Sequence, residues 1–314
     1  MNVAVVICCY TSARWDDVVA ALSALAGQTR PADEVLVVVD HNPQLLQQAT
    51  DVLRRVLPGV RVMPSTGPRG LSGARNTGVA AASADIVAFL DDDACPEPGW
   101  LAALVAPYED PAVVGTGGTV LPRWPGERPG WFPQEFDWVV GCSYAGLPST
   151  PAPIRNPIGA SMSFRREVLT TGPSDTAFDT GPFSTALGRV GTLPLGCEET
   201  ELAIRVHAER PDSRICYAPA SVVRHRISID RTRVRYFVRR CWGEGLSKAA
   251  VVRSVGAAGL AAERAHVMRA LPRGVVRAFR AHRPDRAGAL LLGLLVTTAG
   301  YAVGRLWPLP RTSR

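Results

Sequence analysis

Lysine is almost missing from this 314-residue chain: of 35 basic residues, Lys248 is the only lysine. The stretch 10–15 therefore offers no glycine-rich, lysine-bearing loop to grip pyrophosphate, which argues against nucleotidyl transfer. Cysteine occurs seven times, an odd number, never as CxxC and never at zinc spacing. With Cys8-Cys9 inside an apolar run, the cysteines read as small hydrophobes in a reducing compartment, not as a disulfide framework. No internal repeat or low-complexity tract is present. No basic leader precedes the first apolar run either, because Met1-Asn2 passes straight into Val3-Ala4-Val5-Val6-Ile7, so the body of the protein is expected in the cytoplasm.

What is present is unevenly spread. Hydrophobic residues make up 46% and charged residues 20%, the balance of a globular protein with one unusually apolar segment. The net charge of +7 hides a reversal of sign: residues 1–223 hold 16 Arg against 24 Asp and Glu, while residues 224–286 hold 15 Arg and Lys248 against four acids. Arg305, Arg311 and Arg314 follow in the tail. An acidic body with a basic C-terminal third points to an anionic partner surface, membrane or polyanion.

The first hundred residues alternate strand and helix. Residues 3–9 read as a continuous buried strand, and Thr11 and Ser12 as N-caps for a helix carrying Val18, Val19, Leu22 and Leu25 on one side. A strand over 34–39 ends at Asp40. After it come a helix over 44–57, a short strand over 61–63, a loop over 67–73, a small-residue helix over 74–82 and a strand over 85–90. Helices between successive strands predict an α/β fold with a mostly parallel sheet. Residues 117–158 are dense in Gly, Pro and Trp without a period, so their tryptophans either line a cleft or pack a structured linker on the core. A helix is expected over 199–208, and basic helices from 231 to 283. Residues 287–304 then run without a charge, about 27 Å as a helix and marginal for a bilayer. A single span would export three arginines, against the positive-inside tendency. A helix lying in the cytoplasmic leaflet fits better, ahead of a span and of a buried soluble helix.

Asp91-Asp92-Asp93 closes the apolar run Ile86-Val87-Ala88-Phe89-Leu90. Open α/β sheets collect ligands outside the carboxyl ends of their strands. Carboxylates crowded there need positive charge, and a hard divalent cation bridging to phosphate supplies it. The other reading is that the three acids merely solvate a strand end or cap the next helix.

The surrounding motifs resemble those of family 2 glycosyltransferases with a GT-A fold, of an actinobacterial, membrane-associated type. The likeness rests on Val3 to Tyr10, Gln28-Thr29, Glu34 to Asp40, Gly73-Ala74-Arg75-Asn76-Thr77-Gly78, Phe89-Leu90-Asp91-Asp92-Asp93, the segment Asn156 to Arg166, and Glu198-Glu199-Thr200-Glu201-Leu202. It covers about residues 1–250. The resemblance implies a Rossmann-like GT-A domain over 1–222, while charge and hydropathy set off a basic helical region over 223–286 and a membrane-associating tail over 287–314. It implies transfer of a sugar from a nucleotide-diphosphate donor, UDP by default, with Mg²⁺ or Mn²⁺ as cofactor and inversion at the sugar; the basic segment and apolar tail add the expectation of a lipid-linked or cell-envelope glycan acceptor, and no nucleic-acid partner is expected. Asp93 would hold the metal, with His225 as a further ligand or diphosphate contact. Asp91 would meet the ribose or a metal-bound water, with Asp92 beside it facing the sheet or solvent. Thr11, Tyr10 and Asp40 would hold the nucleoside. Arg75 would reach the base or phosphates, or pair structurally with Asp85 or the triad. Glu199 would be the general base, with Glu198 the competitor, although acids there also suit a helix N-terminus.

Three departures matter. His41 stands where many relatives carry an acid or Asn, Glu199 replaces an Asp, and Arg239-Arg240-Cys241-Trp242 lacks the Gln-x-x-Arg-Trp of polymer-extruding relatives. Arg239 and Arg240 are left either for diphosphate or lipid phosphate or for plain solvation. A membrane-bound glycan- or polyanion-binding protein with an impaired transferase domain is the non-enzymatic alternative.

Overall fold

Seven apolar residues in succession, Val3–Cys9, make β1 and the axis of a nine-stranded sheet. Only a strand covered on both faces keeps such a run out of water. The computed structural model describes residues 1–170, 181–185, 198–256 and 261–307; Cys197, Arg311 and Arg314 lie outside the described residues. β2 (Glu34–Val39) and β4 (Ile86–Asp91) flank β1 in parallel, and β3 (Arg61–Pro64) extends the sheet beyond β2. The helices α1 (Trp15–Ala26), α2 (Pro43–Val56) and α3 (Leu71–Ala81) connect them. Cys8 lies beside Val38 on one side and Asp91 on the other, so β1, β2 and β4 end at one edge.

Beyond β4 the sheet turns antiparallel. β5 (Ala94–Pro96), α4 (Trp100–Val105), β6 (Val113–Arg123), β7 (Ala152–Ile154), β8 (Ser161–Arg165), α5 (Arg166–Thr170), α6 (Glu198–Glu209) and β9 (Arg214–Arg226) follow in sequence. The strand order is β3-β2-β1-β4-β8-β6-β9-β5, with β7 on β9. Ala4, Val6, Leu36, Val38, Val87 and Phe89 form one core with Ala74 and Val79 of α3 and Leu202 and Val206 of α6. Alternation along each strand sends the intervening residues to the opposite face. Each large side chain buried this way stabilises the fold by about 1.5–3 kcal/mol.

Two differences from the sequence reading have physical causes, and one open alternative is resolved. α3 begins at Leu71 because Gly70 sits at φ 126°, a conformation open to glycine, and starts the helix earlier than the expected loop end. Behind it, a Cβ on Gly73 would lie 1.9 Å from the Pro68 carbonyl oxygen, so the turn closes only over glycine. β6 hides in the glycine-rich region read as periodless. Its glycines answer close neighbours, since a Cβ at Gly118 would come 2.4 Å from Ser161 Oγ. The Trp segment takes the packed alternative: Trp131 lies 5.1 Å from Phe132 and 5.5 Å from Phe237, ring centre to ring centre. Cys9 and Cys241 behave as the small hydrophobes expected, with burial pushing each thiol up to about 12.

The chain divides into two compact units, one from Met1–Leu121, Pro148–Thr185 and Glu198–His225, the other including Pro122–Leu147 and the residues after His225. The second holds α7 (Val234–Val255), α8 (Ala261–Ala265), a π-helical turn at His266–Ala270, α9 (Leu271–Arg280) and α10 (Pro284–Leu306). α7 and α10 run side by side in the same direction, because Phe237 meets Gly293, Trp242 meets Gly300, and Ala249 meets Gly304. Their backbones touch at Gly245, where a Cβ would lie 2.2 Å from the Thr297 carbonyl oxygen.

Glu244 anchors the charge of α7, 2.8 Å from Arg240 and 3.2 Å from Lys248. Burial pushes its carboxyl up, but Lys248 and Arg240 outweigh burial and bring it down to about 2. A carboxyl lowered on folding adds stability above its unfolded pKa, and that stability is lost as pH falls from about 4.5 toward 2. Glu244→Gln should therefore lower stability at neutral pH by about 3 kcal/mol. The wild-type advantage should vanish at the acid end of a urea-denaturation series across pH.

Candidate active site

Asp91, Asp93 and His225 offer ligand atoms that all lie within 4.8 Å of one another. β4 delivers Asp91, the turn after it Asp93, and β9 the imidazole, through the antiparallel pairing of Ala94 with His225. His225 Nε2 sits 3.0 Å from Asp93 Oδ1. Carboxylate oxygens with one imidazole suit Mg²⁺ or Mn²⁺, and no thiolate joins the set to favour a softer metal. The residues fit such an ion.

Asp92 does not face solvent. It is 3% exposed, and its Oδ1 accepts a 2.5 Å hydrogen bond from Arg14 Nη1. The same Nη1 lies 3.1 Å from Asp93 Oδ2, and the Arg14 guanidinium sits 5.7 Å from the centre of the Tyr10 ring. Burial pushes the Asp92 carboxyl up to about 6, Arg14 pulls it down, and Asp93 adds to the rise. The triad thus carries more negative charge than its protein partners balance comfortably, which is the condition that recruits a cation.

Arg75 lies in the interior, 2% exposed. It donates from Nη1 to Glu198 Oε1 at 3.2 Å, and from Nη2 to Asp91 Oδ1 at 3.4 Å and the Gly159 carbonyl at 3.2 Å. Burial works against its charge, but Asp91, Glu198 and Glu199 hold its pKa above the ordinary value. Of the two pairings left open for Arg75, the triad is the one observed, whereas Asp85 instead accepts the Asn2 N–H. Glu198 is the buried partner of Arg75, and Glu199 beside it at the start of α6 is half-buried.

At the ends of β1 and β2, Thr11 Oγ1 accepts the Ala13 N–H and caps a short 3₁₀ turn. Asp40 Oδ2 accepts the Gly70 N–H at 2.9 Å, and its Oδ1 lies 2.7 Å from His41 Nδ1. His41 itself has φ 47°. Thr11, Asp40 and Asp91 all stand at the carboxyl edge of the parallel strands, as the register requires.

Two contacts escaped the sequence reading. Arg14 has no motif of its own; the only signal is its place three residues past the capping Thr11. Asn76 clamps Phe183, with Nδ2 donating to its carbonyl and Oδ1 accepting its N–H, both at 2.9 Å. Phe183 packs edge-on to Phe89 at 5.2 Å and lies beneath Arg75. Asn76 belongs to the quoted run 73–78, but Phe183 is 107 residues away and unmarked.

Comparison with known proteins adds to this geometry. Residues 4–172 match the family described as Glycosyl transferase family 2. A curated relative, the glucosyl-dolichyl phosphate glucuronosyltransferase of Haloferax volcanii, is 32% identical over 249 residues, covering 79% of this chain and 76% of that protein. Among solved structures, a mannosyltransferase from Pyrobaculum calidifontis in complex with GDP-Man and Mn²⁺ shares the fold with a TM-score of 0.59. It is 20% identical, with 98% of this chain and 88% of that one covered. Glucosyl-3-phosphoglycerate synthase from Mycobacterium tuberculosis in complex with phosphoglyceric acid is similar at TM-score 0.51 and 17% identity, covering 81% and 80%.

Arg75→Met should destabilise the protein by about 3–5 kcal/mol, because it strands Asp91 and Glu198 with no buried cation. Denaturant midpoints measure this. A loss below about 1 kcal/mol would mean that the guanidinium is not what holds these acids.

Proposed function

Because the chain belongs to glycosyl transferase family 2, we propose that it passes a hexose from UDP to a hydroxyl of a lipid-linked or cell-envelope glycan, with inversion at the anomeric carbon. The observation carrying this reading is the cluster of Asp91, Asp93 and His225 at the carboxyl edge of the sheet. A bound Mg²⁺ or Mn²⁺ would compensate the charge of the departing diphosphate. Asp93 and His225 would hold it, with Asp91 turned to the ribose or a metal-bound water. Thr11 and Asp40 would seat the nucleoside. Arg14, bonded to Asp92 and 3.1 Å from Asp93, would orient both carboxylates. Glu199 would take the proton from the attacking hydroxyl, while Glu198, engaged with Arg75, would fix the start of α6. The name of the Haloferax volcanii relative, which describes a sugar already carried on dolichyl phosphate, supports a lipid-linked acceptor for this chain.

We further infer attachment at the cytoplasmic face of the membrane, with residues 1–222 carrying the donor chemistry and the basic and apolar segments carrying the contact. Among the described residues one helix, α10, is long and apolar enough to cross a bilayer. It lies lengthwise against α7, which bears Arg235, Arg239, Arg240, Glu244, Lys248 and Arg253. Drawing α10 across would take those charges into hydrocarbon at several kcal/mol each, so an in-plane position is favoured. Met268 at 76% and Phe279 at 64% exposure, among Arg269, Arg273 and Arg280, suit the headgroup boundary of anionic lipids.

Glu199→Gln should keep Mn²⁺-dependent UDP binding, measured by calorimetry, and lose about 10²–10⁴-fold in transfer; Asp93→Asn should lose the Mn²⁺-dependent binding itself. Transfer at the wild-type rate by Glu199→Gln rules that residue out as the base. Replacing Met268 and Phe279 together by Ser should release the protein from phosphatidylglycerol vesicles in a sedimentation assay. Resistance of the wild type to carbonate extraction would instead favour a span.

A further inference from the structure

Arg14 is held beside the acidic triad from three directions. It closes the 3₁₀ turn Ser12–Arg14, which Thr11 caps just past the end of β1. Its Nη1 bonds Asp92 Oδ1 at 2.5 Å and lies 3.1 Å from Asp93 Oδ2. The half-exposed Tyr10 ring supports the guanidinium at 5.7 Å. Asp92 depends on this contact, because its other oxygen is buried and has no hydrogen-bond partner among the described residues.

The two arginines at the triad spend their charge differently. Arg75 divides its own between Asp91 and Glu198. Arg14 faces Asp92 and Asp93 and no other carboxylate among the described residues. One unit of positive charge is therefore fixed on the triad alone, against Asp93, the same acid that His225 approaches from its other oxygen.

The consequence depends on what enters. A fixed cation repels a second cation and attracts an anion, and both effects grow as water is excluded. A free divalent ion must approach Asp93 against the Arg14 guanidinium. A diphosphate meets an attraction from the same group, and brings the negative charge that offsets the crowding of two cations. Arg14 is also equipped to touch it. The side chain is 19% exposed, and its Nε and Nη2 donors make no hydrogen bond among the described residues. Guanidinium groups are strong, geometrically matched partners for phosphate oxygens.

We propose that Arg14 is the resident counter-ion of the metal site: it weakens the hold of the triad on a free divalent ion and strengthens the hold on the diphosphate, so that the ion is kept firmly only in the company of the nucleotide. This rests on the metal-dependent donor reading above and names the side chain that sets the order of binding. A guanidinium that only kept the acids in place would act in the opposite sense, since its loss would loosen the ligands and weaken the ion.

The test measures the two ligands separately on the full chain, with free Mn²⁺ followed by electron paramagnetic resonance and UDP in EDTA by equilibrium dialysis. Arg14→Gln should bind Mn²⁺ alone about fivefold more tightly than the wild type and metal-free UDP about fivefold more weakly, opposite signs from one lost charge. Arg14→Lys, which keeps the charge, should return both affinities to within about threefold of the wild type. Arg14→Gln leaves Asp92 buried without a cation, a change that can unfold the protein. A second comparison avoids this: Asp92→Asn with Arg14→Gln should bind Mn²⁺ alone about fivefold more tightly than Asp92→Asn by itself. The proposal is overturned if loss of Arg14 leaves Mn²⁺ affinity unchanged or lowers it in that second comparison, or if metal-free UDP binding does not fall. Titration of the wild type with UDP and Mn²⁺ together separates the two readings. Absence of Mn²⁺-dependent UDP binding overturns the donor chemistry on which the counter-ion rests. Its presence, with Mn²⁺ affinity unmoved by loss of Arg14, overturns the counter-ion alone.

Discussion

A guanidinium sealed from water ties the candidate active site together. Arg75 projects from α3 and meets Asp91 at the end of β4, Glu198 at the start of α6 and the Gly159 carbonyl. A buried charge persists only when it is paired and hydrogen-bonded, so these segments cannot drift apart without exposing or stranding it. Glu198 is 123 residues from Arg75 in sequence, and this contact is what brings the start of α6 to the mouth of the sheet. Glu199 inherits its position from that anchor. Glu198 makes that bond, and Glu199 stands half-buried beside it.

The parts of the fold legible in the sequence are those set by local pattern. β1 and β2 match their expected limits because runs of Val and Ile bounded by polar residues have one physical solution. Asp40, Asp91 and the helix at 198 follow from the same logic. Long-range pairing was not legible. His225 reaches Asp93 only because a three-residue strand, β5, pairs antiparallel with β9, and nothing local in Ala94-Cys95-Pro96 announces that partner. β6 was obscured because close packing of neighbouring strands selected glycine where strand composition would predict β-branched residues. Arg14 stayed hidden for a related reason: its role is defined by two carboxylates far along the chain.

The apolar stretch at 287–304 shows how composition can mislead about environment. Hydropathy registers the helix and not its neighbour. Once α10 is seen flush against a charged helix of nearly equal length, the glycines at 293, 300 and 304 take on a different meaning. They are contact points for α7 and the aromatic cluster around Phe237, and the leucines at 291, 292 and 295 remain on the outer side. A segment that could span a bilayer by length is one wall of a two-helix body whose other wall could not.

Three identical residues in a row end in three different environments, and that difference is the strongest argument for a division of labour. Asp91 looks inward to Arg75 and keeps about a third of its side chain exposed. Asp92 turns toward Arg14, with burial raising its carboxyl to about 6. Asp93 offers one oxygen to Arg14 and the other to His225. Acids that merely solvated a strand end would all point to water, and two of these are nearly sealed from it. Burial opposes ionisation of Asp92, and the Arg14 guanidinium only partly offsets it. The remaining imbalance is local, negative and open on the side of Asp91, which is the side from which a cation and its phosphates would arrive.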